Sequence, residues 1–489
     1  MLDIVGISRL IHQKRNNMEK SKFIKNSIIY FIGNVLTKIL SFLLIPLYTS
    51  YISTADYGYY DLTISIISLV VPITFFQIWD GMFRFVYDYK EDSEKSKIIS
   101  NGLFVCFIGV IIYICEIYIA KTIFKLNIKN AYLIVFYGIA FALQYMYGTI
   151  ARTHKQNKLY AISGVINTLV NLTLNLFLIK YVKMGIESLY ISFFCGSIVQ
   201  VLIIENRIKP LKDFKIKHLN MKLIKKMIQF SMPIGVSTIA IWLLTGYARL
   251  KISNELGVDY NGIFAIGTRF SSIIILIVSV LQMSWQEMSY ELVKEKEKKS
   301  YYEKGLQTFY NMIFCGTIFA ISSTQILFEF LVAKAYYNAI HIMPLIYVYT
   351  ALSSFSGFLS TQFLAEKNSK VTFYSVVIAA ICNIVLINIL IKRFMLVGVC
   401  ISLMISFIIN AVIRLYLLRK KYKLKLDYKK TILSIIIICI YVLAYYTGIK
   451  ILSIAMLIIS IAIALIIFKK EIIYLYNKIT QGREKIYDT

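Results

Sequence analysis

Apolar runs of about 20 residues recur along the whole chain, each long enough to cross a hydrocarbon layer of about 30 Å as a helix. Backbone polar groups in lipid must be satisfied within the protein, which only helices and closed barrels achieve. The alternation of apolar and polar residues that marks a barrel is absent from the sequence. We therefore predict an all-α, polytopic membrane protein. The pattern places fourteen spans at about 27–51, 59–83, 98–120, 131–151, 159–181, 185–204, 227–248, 261–285, 305–330, 339–363, 371–391, 396–417, 431–449 and 451–468.

The sequence also contains an internal repeat. Residues 155–180 align with residues 367–392 at an offset of 212, and ten of the 26 positions are identical. The identical positions include Lys, Ser and Asn, which hydrophobicity alone does not require. Gly58 and Gly262 also stand in similar motifs, each just before an apolar run. The duplicated unit is six spans, so both copies have the same orientation, as in parallel repeats related by an axis along the membrane normal.

The repeat predicts two pseudo-symmetric six-helix lobes and an appended helix pair. The N-lobe covers 27–205 and the C-lobe covers 227–418. The other parts are an N-terminal segment at 1–26, basic loops at 206–226 and 419–430, a helix pair at 431–468 and a tail at 469–489.

Composition and charge agree with a membrane location. Hydrophobic residues make up 58% of the 489 positions, against about 45–50% in soluble domains. The net charge of +28 would suggest nucleic acid in a soluble protein. Here, with both termini in the cytoplasm, 41 Lys and Arg fall in cytoplasmic segments and 11 in outer loops. This bias predicts a protein of the cytoplasmic membrane with both termini in the cytoplasm. The densest basic loops, near 206–226 and 414–430, are expected to lie beside anionic lipid headgroups.

Short motifs stand in a particular order along the chain: KFIKNS at 22–27, PLYT at 46–49, DYG at 56–58, DGMFRF at 80–85 and YNGIF at 260–264. Their order over about 20–468 resembles the polysaccharide flippases of the multidrug/oligosaccharidyl-lipid/polysaccharide exporter superfamily. The family-like opening begins close to Met18, and we expect translation from Met18 to give full activity.

The resemblance implies a substrate and a pathway. Such proteins are expected to turn lipid-linked oligosaccharides, usually on undecaprenyl pyrophosphate, to the outer leaflet for O-antigen, lipopolysaccharide or capsule synthesis. The implied partners are the lipid-linked oligosaccharide, membrane lipids, and the polymerase and glycosyltransferases of the same pathway, with no nucleic acid.

Basic residues within spans are costly in lipid and mark a transport pathway. Lys38 lies near the middle of the first span and could meet a pyrophosphate as a point charge; a buried ion pair is the alternative. Arg269 lies about 12 Å into the eighth span and is predicted to line the cavity with Lys38. Arg249, at the outer end of the seventh span, is either a third cavity cation or an interfacial anchor.

Other polar residues are candidates for gates or ion coupling. Asp80 and Arg84 are four apart and can pair on one helix face, as a structural bridge or as an inner gate latch. Asp61 and Glu116, near outer helix ends, could take up H⁺ or Na⁺, although neither has an evident ligand cluster. Arg152 could guard the cytoplasmic mouth or serve only as a topology signal.

Asparagines form a polar stripe on the fifth span, where Asn167, Asn171 and Asn175 are spaced four apart. Hydrogen bonding between helices is the default interpretation. Sugar binding by Asn171 and Asn175 is the more specific one. No metal site, catalytic residue or cofactor is predicted, apart from the possible H⁺ or Na⁺.

Other classes fit the sequence less well. A membrane enzyme of the same pathways would need a sizeable external loop with carboxylates, or a buried catalytic His. The chain has only four His and no nucleotide-binding or metal-binding motif, so we predict no enzyme. The alternatives within the superfamily are an ion-coupled multidrug exporter and a flippase for the peptidoglycan precursor. Cations placed within spans favour an anionic headgroup.

Cysteine accessibility tests the predicted orientation. A Cys placed at Glu205 or Asp427 should resist an impermeant thiol reagent in intact cells and react after permeabilisation, because both positions border cytoplasmic basic loops. Reaction in intact cells would reverse the orientation. Cys106, in an apolar run, is the internal control that should stay unlabelled in both conditions.

Overall fold

The structure is a computed structural model that describes residues 42–86, 88–89, 91–292, 298–366, 368–424, 427–469 and 473. Within these residues the regular structure is helical, with no β-strand. The α-helices are α1 (Ile45–Tyr51), α2 (Thr54–Thr74), α3 (Ile78–Val86), α4 (Asp92–Thr122), α5 (Ala131–Thr153), α6 (Asn157–Lys180), α7 (Glu187–Ile208), α8 (Pro210–Asp213), α9 (Met221–Thr245), α10 (Tyr247–Glu255), α11 (Val258–Phe270), α12 (Ser272–Leu292), α13 (Lys298–Leu331), α14 (Met343–Ala365), α15 (Ser369–Tyr422), α16 (Tyr428–Tyr446) and α17 (Lys450–Ile467). Short 3₁₀ helices cover Ile216–His218 and Lys334–Ile342.

Twelve helical segments among the described residues are long and apolar enough to cross a membrane. The prediction of a multi-pass all-α protein is therefore confirmed. The predicted first span, 27–51, lies mostly outside the described residues, which include its end as α1. The predicted spans 371–391 and 396–417 are found within the single long helix α15.

The long helix α15 is a hairpin of two spans rather than one rod. Its backbone leaves helical geometry at Met395, where φ is 49° and ψ is −131°. Ser402 Oγ then donates to Asn383 Oδ1 at 2.8 Å, so the second half runs back along the first. The turn coincides with the predicted link between the eleventh and twelfth spans.

The second predicted span, 59–83, is interrupted, which the sequence analysis did not anticipate. α2 ends at Thr74 and α3 begins at Ile78, and between them Phe76 and Gln77 have φ of 53° and 47°. Pro72 has no amide hydrogen for the helical ladder, and its carbonyl accepts from Gln77 N at 2.8 Å. A left-handed residue costs about 1–2 kcal/mol, so other contacts must hold this break.

The chain divides into two compact units, one spanning Ser21–Ala265 and the other containing Ile266–Thr489. In the first unit, α9 packs on α2, α3 and α4, and α10 packs on α2. The repeat assigns α9 and α10 to the start of the C-lobe, so this lobe's first span packs with helices of the N-lobe. In the second unit, α14 packs against α12, α13 and α15.

The C-terminal helix pair is fastened to α13 by buried polar groups. The Gln325 side chain donates to the Tyr445 carbonyl of α16. Ser453 of α17 donates to Gln325 Oε1 at 2.6 Å. An unpaired amide would be costly in an apolar setting, so Gln325 fixes where α16 and α17 attach.

Arg414 falls within the predicted span 396–417, although its charge was counted with the basic loop 414–430. The structure places Arg414 in the second half of α15, in the span rather than the loop, where it is only 3% exposed. Its Nε donates to Ser375 Oγ at 2.9 Å, Nη1 to the Ser356 carbonyl at 2.6 Å and Nη2 to the Thr372 carbonyl at 3.3 Å. These bonds tie α14 to both halves of the α15 hairpin.

Replacing Arg414 should destabilise the second unit. Arg414→Leu removes these bonds and leaves buried oxygens unsatisfied, at a cost of about 3 kcal/mol. The melting temperature of the detergent-solubilised protein should fall by several degrees. Arg393→Leu, at the exposed turn of the same hairpin, is the matched control and should melt like wild type. Equal melting temperatures for the two variants would contradict a structural role for Arg414.

Candidate functional site

A line of polar contacts, here called the polar seam, runs where α2 and the break after it face α9 and α10. Each contact satisfies groups that apolar surroundings would otherwise leave unpaired. The seam pairs Asp61 with Arg249, the Ser65 carbonyl with Trp242 Nε1 at 2.7 Å, and Gln77 Oε1 with Thr238 Oγ1 at 3.2 Å. The seam lies entirely within the first unit.

The ion pair of Asp61 and Arg249 is the charged member of the seam. Arg249 Nε lies 2.6 Å from Asp61 Oδ2, and the side chains are 21% and 17% exposed. The guanidinium also lies 5.7 Å from the centre of the Phe264 ring. Asp61 was a coupling candidate and Arg249 a cavity candidate, and the structure joins them. Separating them in an apolar setting is costly unless other partners replace them.

The two glycine motifs of the repeat pack directly against each other. A Cβ on Gly58 would lie 1.8 Å from the Val258 carbonyl oxygen, and one on Gly262 would lie 2.1 Å from that of Thr54. Because Val258 follows Thr54 by the same number of residues as Gly262 follows Gly58, the contact is reciprocal. Two side-chain bonds accompany it, from Asn261 Nδ2 to the Gly58 carbonyl at 2.7 Å and from Thr54 Oγ1 to Asp259 Oδ1 at 2.6 Å.

Two carboxylates flank the break between α2 and α3. Thr74 Oγ1 donates to Glu116 Oε2 at 2.7 Å, and Gln77 Nε2 donates to Asp80 Oδ2 at 2.8 Å. Glu116 of α4 therefore contacts the last residue of α2, directly before the break. Since Gln77 also accepts from Thr238, the strained break is held from both α4 and α9.

The expected pair of Asp80 with Arg84 is replaced by other partners. Arg84 Nη1, in the last turn of α3, lies 2.5 Å from Asp88 Oδ1, and both side chains are exposed. Asp80 instead accepts from Gln77. Arg152, at the end of α5, lies between the rings of Phe83 and Tyr160, with its guanidinium carbon 4.8 Å and 5.7 Å from their centres. Gate roles for Asp80, Arg84 and Arg152 stay predictions.

The remaining predicted residues are placed more simply. Lys38 lies outside the described residues, and Arg269 is half-buried in α11. Asn175 Nδ2 donates to Asn171 Oδ1 at 2.6 Å, so these two bond within α6. Asn167 Nδ2 donates to Gln200 Oε1 of α7 at 2.8 Å, a bond between helices. Sugar binding by Asn171 and Asn175, and cavity roles for Lys38 and Arg269, remain predictions.

Several members of the seam were missed from the sequence. Gln77, Thr238 and Trp242 carry no charge and lie in apolar runs, so there was no reason to select them from the sequence. The one sequence signal for the helix break at Gln77 was Pro72, which stands within a predicted span. Among the described residues, no group of three or more His, Cys, Asp or Glu could hold a metal ion. The described residues of the first unit show paired charges, amide hydrogen bonds and cation–aromatic contacts.

Solved structures share this fold. A structure described as "Lipid II flippase MurJ, inward closed conformation" matches with a TM-score of 0.69 at 17% identity, covering 91% of this chain and 100% of that one. An inward-facing multidrug resistance MATE family transporter matches with a TM-score of 0.65 at 12% identity, covering 79% and 94%. A Pyrococcus furiosus transporter noted for the reverse polarity of its binding pocket matches with a TM-score of 0.56 at 13% identity, covering 82% and 95%.

These similarities define a multi-pass membrane protein with the fold of the multidrug/oligosaccharidyl-lipid/polysaccharide transporters. A family model described as "Polysaccharide biosynthesis protein" matches residues 23–285. The match covers more than half of the chain, and the chain belongs to that family. No curated protein matches the sequence significantly.

A double-mutant cycle tests whether Asp61 and Arg249 act as a unit. Asp61→Asn and Arg249→Gln should each lower thermal stability, and the double variant should lose less than their sum, with a coupling of about 1–2 kcal/mol. The exposed pair of Arg84 and Asp88 is the control, for which coupling should be below about 0.5 kcal/mol. Additive losses at Asp61 and Arg249 would show that the contact contributes no pairing energy.

Proposed function

We propose that this protein translocates lipid-linked oligosaccharides, carried as undecaprenyl-pyrophosphate-linked repeat units, across the bacterial cytoplasmic membrane for surface polysaccharide synthesis. The observation that carries this proposal is the family match over residues 23–285. The fold shared with a lipid II flippase over 91% of the chain supports it. In this proposal both termini are cytoplasmic, and the pathway's polymerase and glycosyltransferases are the partners.

Intramembrane cations support an anionic substrate. A pyrophosphate in an apolar cavity needs positive charge nearby, because an unpaired buried charge is strongly disfavoured. Lys38, Arg249 and Arg269 would supply this charge. Arg249 already holds a carboxylate, and we infer that substrate phosphate takes the place of Asp61 when the pair separates. The Asn171 and Asn175 amides would then contact the sugar.

The transport step would be alternating access. In this proposal the N-lobe, 27–205, and the C-lobe, 227–418, rock about the pseudo-two-fold axis. The headgroup crosses in the cavity while the polyprenyl tail stays in lipid. The contact of Gly58 with Gly262 and the ion pair beside it would separate on one side, and Asp80, Arg84 and Arg152 would guard the other. Asp61 and Glu116 are the candidates for H⁺ or Na⁺ coupling.

A peptidoglycan-precursor flippase is the second candidate, because the lipid II flippase structure covers nearly the whole chain. Its substrate would meet the same cations. An ion-coupled multidrug exporter shares the fold, but the intramembrane cations fit its role less well.

Gene deletion separates these functions. Loss of the proposed flippase should remove a surface polysaccharide and accumulate its lipid-linked repeat unit in the inner leaflet, with cell-wall synthesis intact. Accumulation of the peptidoglycan precursor, with lysis, would identify the second candidate instead. Unchanged surface glycan and unchanged lipid-linked intermediates would overturn both.

Lys38 variants test the cationic cavity in the deletion strain. Lys38→Ala should abolish export while the protein still inserts, because no charge remains to meet the pyrophosphate in the first span. Lys38→Arg should restore part of it. Arg207→Ala, at an exposed position at the end of α7, is the control. Normal surface glycan with Lys38→Ala at matched expression would favour a structural ion pair.

A further inference from the structure

The end of α5 presents a guanidinium that lies against aromatic rings. Arg152 is flanked by Phe83 of α3 and Tyr160 of α6. Its Nε atom is buried without a hydrogen-bond partner. Within the described part of the chain, its guanidinium makes no ion pair. The nearby Asp80 carboxylate attracts this cation without forming an ion pair with it, and it accepts a hydrogen bond from Gln77 at 2.8 Å.

Aromatic rings stabilise the positive charge of an arginine but cannot accept all of the hydrogen bonds that its N–H groups donate. A cation over a ring is attracted by the ring's negative face. The five N–H donors point outward in the guanidinium plane and still require acceptors. That planar fork matches the oxygens of a phosphate, which it binds through two parallel bonds. The fork of Arg152 therefore suits an anionic group supplied from outside the chain.

The surrounding residues hold this arginine in place. Gly148, one turn before Arg152, has no side chain, and a Cβ there would lie 2.9 Å from the Tyr160 ring. The glycine thus allows Tyr160 to approach α5. Deeper along the same helices, the rings of Trp79 and Tyr145 lie 5.5 Å apart, so the guanidinium ends an aromatic strip between α3 and α5.

The internal repeat shows that this cation is particular to the first copy. Lys155 and Lys158, in the turn after Arg152, have Lys367 and Lys370 as counterparts at the offset of 212. Extending the same register by three residues places Leu364 opposite Arg152. The lysines occur in both copies of the repeat, as expected for a general topology signal. Arg152 occurs only in the first copy and therefore does not follow that pattern.

We propose that Arg152 captures the diphosphate of the lipid-linked substrate at the cytoplasmic end of the first unit, before the headgroup enters the cavity. The assignment rests on the proposed function for its substrate class and on the predicted topology for its side of the membrane. The bidentate fork binds the diphosphate, and Phe83 and Tyr160 keep the guanidinium in place. Arg152 is thus proposed to bind the substrate before it enters the cavity, whereas Lys38 is proposed to bind it within the cavity.

Binding of farnesyl diphosphate to the purified protein in detergent tests this site. Thermal stabilisation should be titrated for wild type, Arg152→Gln, Arg152→Lys and the exposed control Arg207→Gln. We expect Arg152→Gln to weaken binding at least tenfold, Arg152→Lys to weaken it less because charge without the fork remains, and Arg207→Gln to match wild type. Comparing each variant's titration with its own ligand-free melting temperature separates lost binding from lost stability.

Phosphatidylglycerol distinguishes the substrate's diphosphate from an ordinary lipid phosphate. Its effect on melting should not change with Arg152→Gln; an equal loss for both ligands would identify a lipid-headgroup site and overturn the proposal. The proposal would also be overturned if Arg152→Gln bound farnesyl diphosphate with wild-type affinity. If the glutamine variant does not fold, wild-type affinity in Arg152→Lys would overturn it instead. The gene-deletion experiment measures glycan export and does not depend on Arg152. A negative result for the Arg152 site would therefore not contradict the proposed function.

Discussion

A polar group in hydrocarbon must find its partner within the protein, because no water is there to replace it. This constraint explains which side chains meet in both units. Arg414 is surrounded by hydroxyls and carbonyls of neighbouring helices, and Gln325 fixes the position of the C-terminal helix pair. The ion pair of Asp61 with Arg249 follows the same rule. Each such residue fixes a helix neighbour that apolar packing alone would leave free to slide.

The same constraint makes the contact of Gly58 with Gly262 consequential. With no side chain at either position, two backbones approach closely enough for Asn261 and Thr54 to bond across the junction. Closely packed surfaces have discrete arrangements rather than a continuum. A junction of this kind therefore holds or separates as a whole, which suits a protein proposed to alternate between two states.

Much of the architecture could be predicted from the sequence, because apolar runs report helices directly and a repeat reports symmetry. Pairing could not be predicted, since it depends on which helix faces meet. Arg414 was counted with a basic loop although it falls within the predicted span 396–417, because the sequence does not show where the span ends. Asp80 and Arg84 have the spacing of a pair, yet the break at Gln77 turns Asp80 toward Gln77 and leaves Arg84 to Asp88.

Symmetry accounts for the scaffold but not for its charges. The glycine contact occurs in reciprocal form, whereas the register that relates the glycines places Ala265 opposite Asp61 and Ile45 opposite Arg249. The repeat therefore does not generate a second copy of this ion pair. A lipid-linked substrate is itself asymmetric, with a charged headgroup at one end and an apolar tail at the other. In a duplicated scaffold proposed to move such a molecule, the glycine packing occurs in two copies whereas this ion pair occurs in one.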